Sequence, residues 1–421
     1  MSVGLAASGA NTRRSHRGGL IAGLVVDNLG SGMFLPLTVV FIVRGVGLSV
    51  GTAGTLLTVG TFVGLLAPAL VSRVVDRVGP LAVVVVSMLV QAAGMLCYLL
   101  AHAIVLTVLA AALVAAGTQT FYSALFALIS SVVGAGPKDH AFAVVGMARA
   151  GAFGAGSLIA GLLLTLTTTT GLRIAVGVDA LSFVAAAGLL ALLVHPGKGA
   201  RLHTRHDFGS DGAQRPGRVI SDRPFLGLIG TVALLALVTD VFLVGLPVYA
   251  LTVLHTPGWV PGVCLAMLTA ATSTLTSRVV RATAGRSRTT ALGTGAAFYL
   301  LWCLLAATAD VVPGEWAAAW LLGSTPFLIA GSLFAESRVN AIAEAAAPPQ
   351  SRGRYLATFQ YAFTTAGLLA PLVVALFAVA TWLPWLVVAV SATFALSTLP
   401  WLARTLPARA VRAGQIEECP P

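Results

Sequence analysis

Residues 195–223, HPGKGARLHTRHDFGSDGAQRPGRVISDR, form the one long polar, glycine-rich stretch of this 421-residue chain. Such a composition suits a flexible linker. Six apolar runs precede it, near 19–43, 48–72, 80–101, 103–133, 141–167 and 171–194. Six follow it, near 224–254, 259–281, 288–312, 315–344, 352–380 and 382–403. About 20 apolar residues suffice for a helix to cross the hydrocarbon core. The pattern predicts an all-α integral membrane protein of twelve transmembrane helices. Its expected organisation is a tail (1–18), a six-helix bundle (19–194), the linker (195–223), a second six-helix bundle (224–403) and a second tail (404–421).

Composition agrees. Hydrophobic residues make up 57% of the chain and charged residues 9%, against about 25% charged in a soluble domain. The exterior is therefore expected to face a lipid bilayer. The net charge of +11 does not indicate nucleic acid, because the arginines sit in short gaps between apolar runs and not in basic blocks interleaved with aromatics. With a cytoplasmic N-terminus, 22 of the 25 basic residues fall inside the cell. Only Arg44 and Arg173 fall outside, while Arg149 falls within a span. The positive-inside rule then places both termini and the linker in the cytoplasm of a multi-pass cell-membrane protein. The first run, with Asp27 and Pro36 inside it, does not read as a cleaved signal.

No soluble enzyme motif occurs, and no phosphate loop that would encode an ATP motor. Cys97, Cys264, Cys303 and Cys419 lack metal-ligand or redox spacing, so no metal and no cofactor is expected. The halves show weak self-similarity, as transporters often do. A shift of 211 residues puts Pro36 on Pro247, Arg149 on Gln360 and Gly156 on Gly367, and a similar shift puts AAGTQTFYS on IAGSLFAES. The two bundles are accordingly expected to be pseudo-symmetric.

Between the second and third runs the chain carries Ser72, Asp76, Arg77, Gly79, Pro80 and Leu81. Here it resembles the major facilitator superfamily, whose signature at this place runs Gly-x-x-x-Asp-Arg-x-Gly-Arg-Arg. Asp76, Arg77 and Gly79 match; Ser72 and the Pro80–Leu81 pair depart from it. In the fifth run, GAFGAGSLIAG is similar to the family's antiporter signature at Gly156 and Gly161, and departs from it at Ala152, Ser157 and Ala160. Small residues at this spacing also serve close helix packing without any antiport, a role that Gly367 would share. The fourth run resembles the family pattern at Gly117, Gln119, Tyr122 and Ala124. The resemblance implies two bundles rocking around a central cavity, a gate built on Asp76, Arg77 and Gly79, and the drug:proton antiporter branch. The partners expected are a small-molecule substrate, protons and lipid, with the chain acting as a monomer.

An ionisable group inside a span is costly and marks a candidate site. Asp27, Arg149, Asp179 and Asp240 meet that description. Asp27 shares a helical face with Gly23, Gly30 and Phe34. The glycines would admit either substrate or a partner helix. Asp27 is then either a proton carrier or an aspartate fixed to Asn28, Arg149 or a backbone group. Asp240 lies mid-span in the run that the family pairs with the first, and has the same two readings. Arg149 either serves the cavity or closes a structural ion pair, and Asp179 is expected to be structural. Cavity candidates follow from shared helical faces: Gln119 with Tyr122, Phe153 with Arg149, Ser324 with Phe327, and Gln360 with Phe363 and Thr364. The function expected is proton-coupled efflux of small hydrophobic or amphipathic molecules. The alternative is a symporter or facilitator that imports a nutrient through the same fold.

Overall fold

Backbone polar groups in hydrocarbon must be satisfied within the segment, so each apolar run has to form a helix. The structure, a computed structural model, describes residues 2–66, 78–133, 138–166, 169–194, 219–283, 285–348 and 351–411. In chain order the main helices are α1 (Ser2–Phe34), α2 (Val50–Gly64), α3 (Pro80–Leu99), α4 (Ile104–Val133), α5 (Lys138–Leu166) and α6 (Thr169–Leu193). These are followed by α7 (Arg223–Val248), α8 (Trp259–Ala282), α9 (Arg288–Ala307), α10 (Gly314–Ala346), α11 (Arg352–Phe359), α12 (Tyr361–Ala375) and α13 (Leu383–Thr405). Helices α11 and α12 divide the eleventh run at Gln360. Among the described residues eleven helices are long and apolar enough to cross a membrane, and Val50–Gly64 is a shorter apolar helix.

Local chemistry sets several ends. The Ser49 hydroxyl accepts from Thr52 N at 3.1 Å at the head of α2, and Ser287 does the same for Thr290 N at 3.0 Å at the head of α9. Asp222 caps α7 through Phe225 N at 3.1 Å. These bonds satisfy amides that lack an intrahelical acceptor. Gly79 has φ 87°, where a side chain would be strained, and Pro80 behind it opens α3. This gives the signature glycine a backbone role. Asp76 and Arg77 lie outside the described residues.

The first run does not continue as one α-helix. Proline has no N–H to donate, and around Pro36 the chain tightens to a 3-10 turn (Leu35–Leu37), then passes through Thr38–Phe41 into a π turn (Ile42–Val46). The seventh run repeats this near Pro247, with a π turn over Tyr249–Val253.

The chain divides into two compact units, Met1–Ser210 and Asp211–Pro421. In the first, α1 packs on α5 and α6, α3 on α4 and α6, and α2 on α4. In the second, α7 packs on α12 and α13, α9 on α10 and α13, and α8 on α10. The five packings of one unit recur, run for run, in the other. Each unit also seals one end with aromatics. Phe34, Phe41 and Tyr98 have ring centroids 5.6 to 6.2 Å apart. Trp302, Trp385 and Phe242 are buried together, with Trp385 5.5 Å from Trp302 and 5.0 Å from Tyr249.

Candidate functional site

The first unit gathers its intramembrane charges on α1, α5 and α6. Asp27 on α1 is 5% exposed, and its Oδ2 accepts from Asn28 Nδ2 at 3.0 Å. The same amide donates to Leu24 O at 2.8 Å. Asp179 on α6 is equally buried and lies close enough for its charge to act on that of Asp27. Its carboxylate accepts from Ser182 Oγ at 3.4 Å and from Ser31. Gly30 makes this approach possible, since a Cβ there would stand 2.0 Å from Ser182 Oγ and 2.9 Å from Asp179 Oδ1. Gly23 likewise admits Leu190 of α6. The glycine face beside Asp27 therefore receives a partner helix.

Arg149 on α5 supplies the opposite charge and acts electrostatically on Asp27. Its Nη2 donates to Tyr122 Oη at 2.9 Å. Its guanidinium carbon sits 5.2 Å from the Tyr122 ring centre and 5.7 Å from that of Phe121, within cation–π range. Its Nε is buried without a partner, while Tyr122 is exposed.

The second unit builds a different cluster from α7, α9 and α10. Glu336 on α10 accepts from Thr239 Oγ1 of α7 at 2.9 Å and from Tyr299 Oη of α9 at 3.4 Å, both on Oε1, and also from Ser332. Asp240, next to Thr239, stands close enough to Glu336 for the two charges to repel. On its other side α12 approaches at Gly367, where a Cβ would lie 3.7 Å from Asp240 Oδ2. The cluster thus holds two carboxylates and three hydroxyls. Two adjacent carboxylates inside candidate membrane spans favour a neutralising proton or cation, and hydroxyls can follow either charge state because they both donate and accept.

The remaining sequence candidates fall in several places. Tyr122 joins Arg149. Gln119 and Phe153 are half-buried on α4 and α5, and the Phe153 carbonyl lies against Gly32. Gly156 lets α5 meet α1, since a Cβ there would be 2.1 Å from Leu29 O; Gly161 is buried on the same helix. Ser324 is interior to its unit and gives its hydroxyl to Leu321 O at 2.9 Å, apart from the carboxylates, while Phe327 is half-buried. Gln360 is exposed at the joint of α11 and α12. Phe363 packs its ring on Phe359 with centroids 5.9 Å apart, and Thr364 is half-buried one turn from Gln360.

The structure adds a residue to the four charges read from the sequence: Glu336, inside the candidate span Gly314–Ala346. The signal was present, since Glu336 lies inside the tenth apolar run. Arg338, two residues later, reads as a cytoplasmic-side charge and draws Glu336 towards the interface. In the structure α10 continues to Ala346, about 12 Å beyond Arg338 at 1.5 Å per residue. Arg338 is itself buried, donating to Val280 O at 3.0 Å and to Thr283 Oγ1. Asp179, expected from the sequence to be structural, sits against Asp27.

The fold is shared with solved transporters of low sequence identity. A peptide transporter POT in complex with sulfate superposes with a TM-score of 0.70 at 13% identity, covering 93% of this chain and 96% of that one. A bacterial homologue of the iron transporter ferroportin in its inward-facing state gives 0.71 at 15%, covering 92% and 98%. The nucleoside transporter NupG, as a point mutant, gives 0.72 at 12%, covering 92% and 99%. At these identities the likeness concerns the fold. No curated protein matches the chain. The sequence pattern of the Major Facilitator Superfamily, by contrast, matches residues 20–337. With that match over most of the chain, the repeated six-run units and charged clusters at membrane depth, the chain belongs to the Major Facilitator Superfamily and is a multi-pass membrane transporter of small molecules, not an enzyme.

Proposed function

We propose that this transporter couples inward proton movement to the export of small hydrophobic or amphipathic molecules across the cell membrane. It would work as a monomer by alternating access, with both termini cytoplasmic. The observation that carries this reading is the Asp240–Glu336 pair, two carboxylates inside candidate membrane spans, of which Glu336 takes its described hydrogen bonds from hydroxyls. Such a pair loads and releases a proton without dismantling a salt bridge. Asp27, held beside Asp179 and under the field of Arg149, is the second proton site, and Arg149 tunes it. Asp76, Arg77 and Gly79 form the cytoplasmic gate. The driving force is sufficient, because one proton crossing 100 mV supplies roughly 2.3 kcal/mol. That sustains a roughly fifty-fold substrate gradient at about 1.4 kcal/mol per tenfold.

Everted vesicles carrying an imposed pH gradient test the proposal against a panel of lipophilic cations and neutral amphipathic dyes. Substrate-dependent proton release is expected, and it disappears in Glu336→Gln and in Asp240→Asn. Release that survives in both variants rejects the assignment of the carriers.

One observation favours a second reading, proton-coupled uptake of a polar nutrient. Thr239, Tyr299, Ser332 and Glu336 give the second unit more fixed polar groups than an apolar substrate requires. Under this reading intact cells accumulate solute down the proton gradient, and everted vesicles lose it.

A further inference from the structure

Tyr299 is fully buried, yet its hydroxyl stays among polar atoms, 3.2 Å from Thr239 Oγ1 and 3.4 Å from Glu336 Oε1. Thr239 donates to the same Oε1 at 2.9 Å. Side chains from α7 and α9 therefore converge on one carboxylate oxygen of α10. The ring lies against Gly331, where a Cβ would stand 2.3 Å from Tyr299 Cδ1 and 2.5 Å from Cε1. Opposite, a Cβ on Gly295 would stand 2.8 Å from Gly331 O. This part of the α9–α10 contact thus admits the tyrosine only while residue 331 has no side chain. A residue needed solely to fill that space could be phenylalanine. A buried phenol needs a partner for its O–H, and here the partner is a carboxylate and its neighbouring hydroxyl.

We propose that Tyr299 is a positioning residue for proton coupling: it holds Glu336 in the orientation that stands beside Asp240, and Gly331 is the notch that seats its ring. The inference rests on reading Asp240 and Glu336 as proton carriers. The groups facing Glu336 are Thr239 and Asp240 from α7, Tyr299 from α9, and Ser332 from one turn earlier on α10. Helix α8 runs along α10 from Cys264, which is hydrogen-bonded with Thr325, to Val280, whose carbonyl accepts from Arg338. The 408–411 segment and α11 also pack on α10, and there Arg409 donates to Ala345 O.

Infrared difference titration of the purified full chain in nanodiscs tests this without a substrate. The carboxylic C=O band that disappears in Glu336→Gln reports the protonation of that residue. Tyr299→Phe, which keeps the ring, is expected to displace the midpoint of that band by about one pH unit, a tenfold change in proton affinity. Gly331→Ala is expected to displace it likewise, because the new methyl pushes the ring off its seat, and it carries the test if Tyr299→Phe does not fold. A midpoint equal to wild type in the folded variants overturns the positioning role. A titration with no band that depends on Glu336 instead rejects the proton-carrier reading on which the inference rests. The two failures are therefore separable.

Discussion

Asp27 and Asp240 occupy corresponding runs of the two units, yet their surroundings differ in one charge. Asp27 has a second carboxylate, Asp179, and a guanidinium, Arg149, acting on it. Asp240 has a second carboxylate, Glu336, whose own partners are hydroxyl groups. Counted as ionised, the first cluster carries a net charge of −1 and the second −2. The guanidinium thus lowers by one the number of protons the first cluster needs to be neutral. Asp179 then separates into two testable roles. Asp179→Ala strips the carboxylate acceptor from Ser31, while Ser182 keeps the carbonyl of residue 179 at 2.8 Å; leaving a hydroxyl unpaired costs about 1–3 kcal/mol. Asp179→Asn restores an acceptor oxygen of the same shape. If Asp179 is structural, Asn recovers the thermal midpoint of the detergent-solubilised protein and leaves proton release intact; if it shares the coupling proton, Asn recovers stability but not release. Arg149→Lys keeps the charge while losing the planar stack on Tyr122 and Phe121. A cation–π contact contributes about 0.5–2 kcal/mol, so transport of a lipophilic dye by this variant is expected to fall roughly three- to thirty-fold, and wild-type rates would show the stack to be dispensable.

At the scale of helices, the pairs that hold the clusters meet through glycine. On α1, a Cβ at Gly32 would stand 2.1 Å from Phe153 O, and on α5 a Cβ at Gly156 would stand 2.1 Å from Leu29 O. The two backbones touch at both points, which gives attraction in lipid where no hydrophobic force acts between helices. Gly156→Ala is expected to force them apart and lower stability by about 1–3 kcal/mol. Gly177→Ala on α6, where nothing lies within 4 Å of the new methyl, serves as the control, and equal thermal midpoints for the two variants would discount the crossing. This level also shows what could be read beforehand. The run GAFGAGSLIAG announces a close contact because small residues recur along one face. The face of Gly23, Asp27 and Gly30 announces that something enters, but a single helix cannot name the visitor, and here it is α6. Nor does a shared face separate Ser324, whose hydroxyl closes on its own helix, from Thr239, whose hydroxyl crosses to α10. Rotamer and partner decide that, and neither is local in sequence. Glu336 was legible, as an acid inside an apolar run, while Arg338 beside it reads as a cytoplasmic-side charge.

For the whole molecule, the fold was readable because hydrocarbon imposes one rule on every segment, and the rule leaves twelve apolar runs and one long polar gap. Orientation follows from a separate term. Basic residues near an anionic leaflet gain about 1 kcal/mol each, and 22 of 25 fall on one side when the N-terminus is cytoplasmic. The opposite orientation would forfeit nearly all of that, so a mixed population is not expected. Single cysteines in a cysteine-free background measure the outcome directly. Ser210→Cys lies in the long polar stretch, and Ala103→Cys lies at an exposed position between α3 and α4. A membrane-impermeant maleimide is expected to label the first only in everted vesicles and the second only in intact cells. The orientation fixes which face of each unit meets the cytoplasm, whereas the direction of the coupled exchange follows from the proton gradient. Labelling of Ser210→Cys from outside would invert the chain and transfer the positive-inside assignment to the minority set of Arg44 and Arg173.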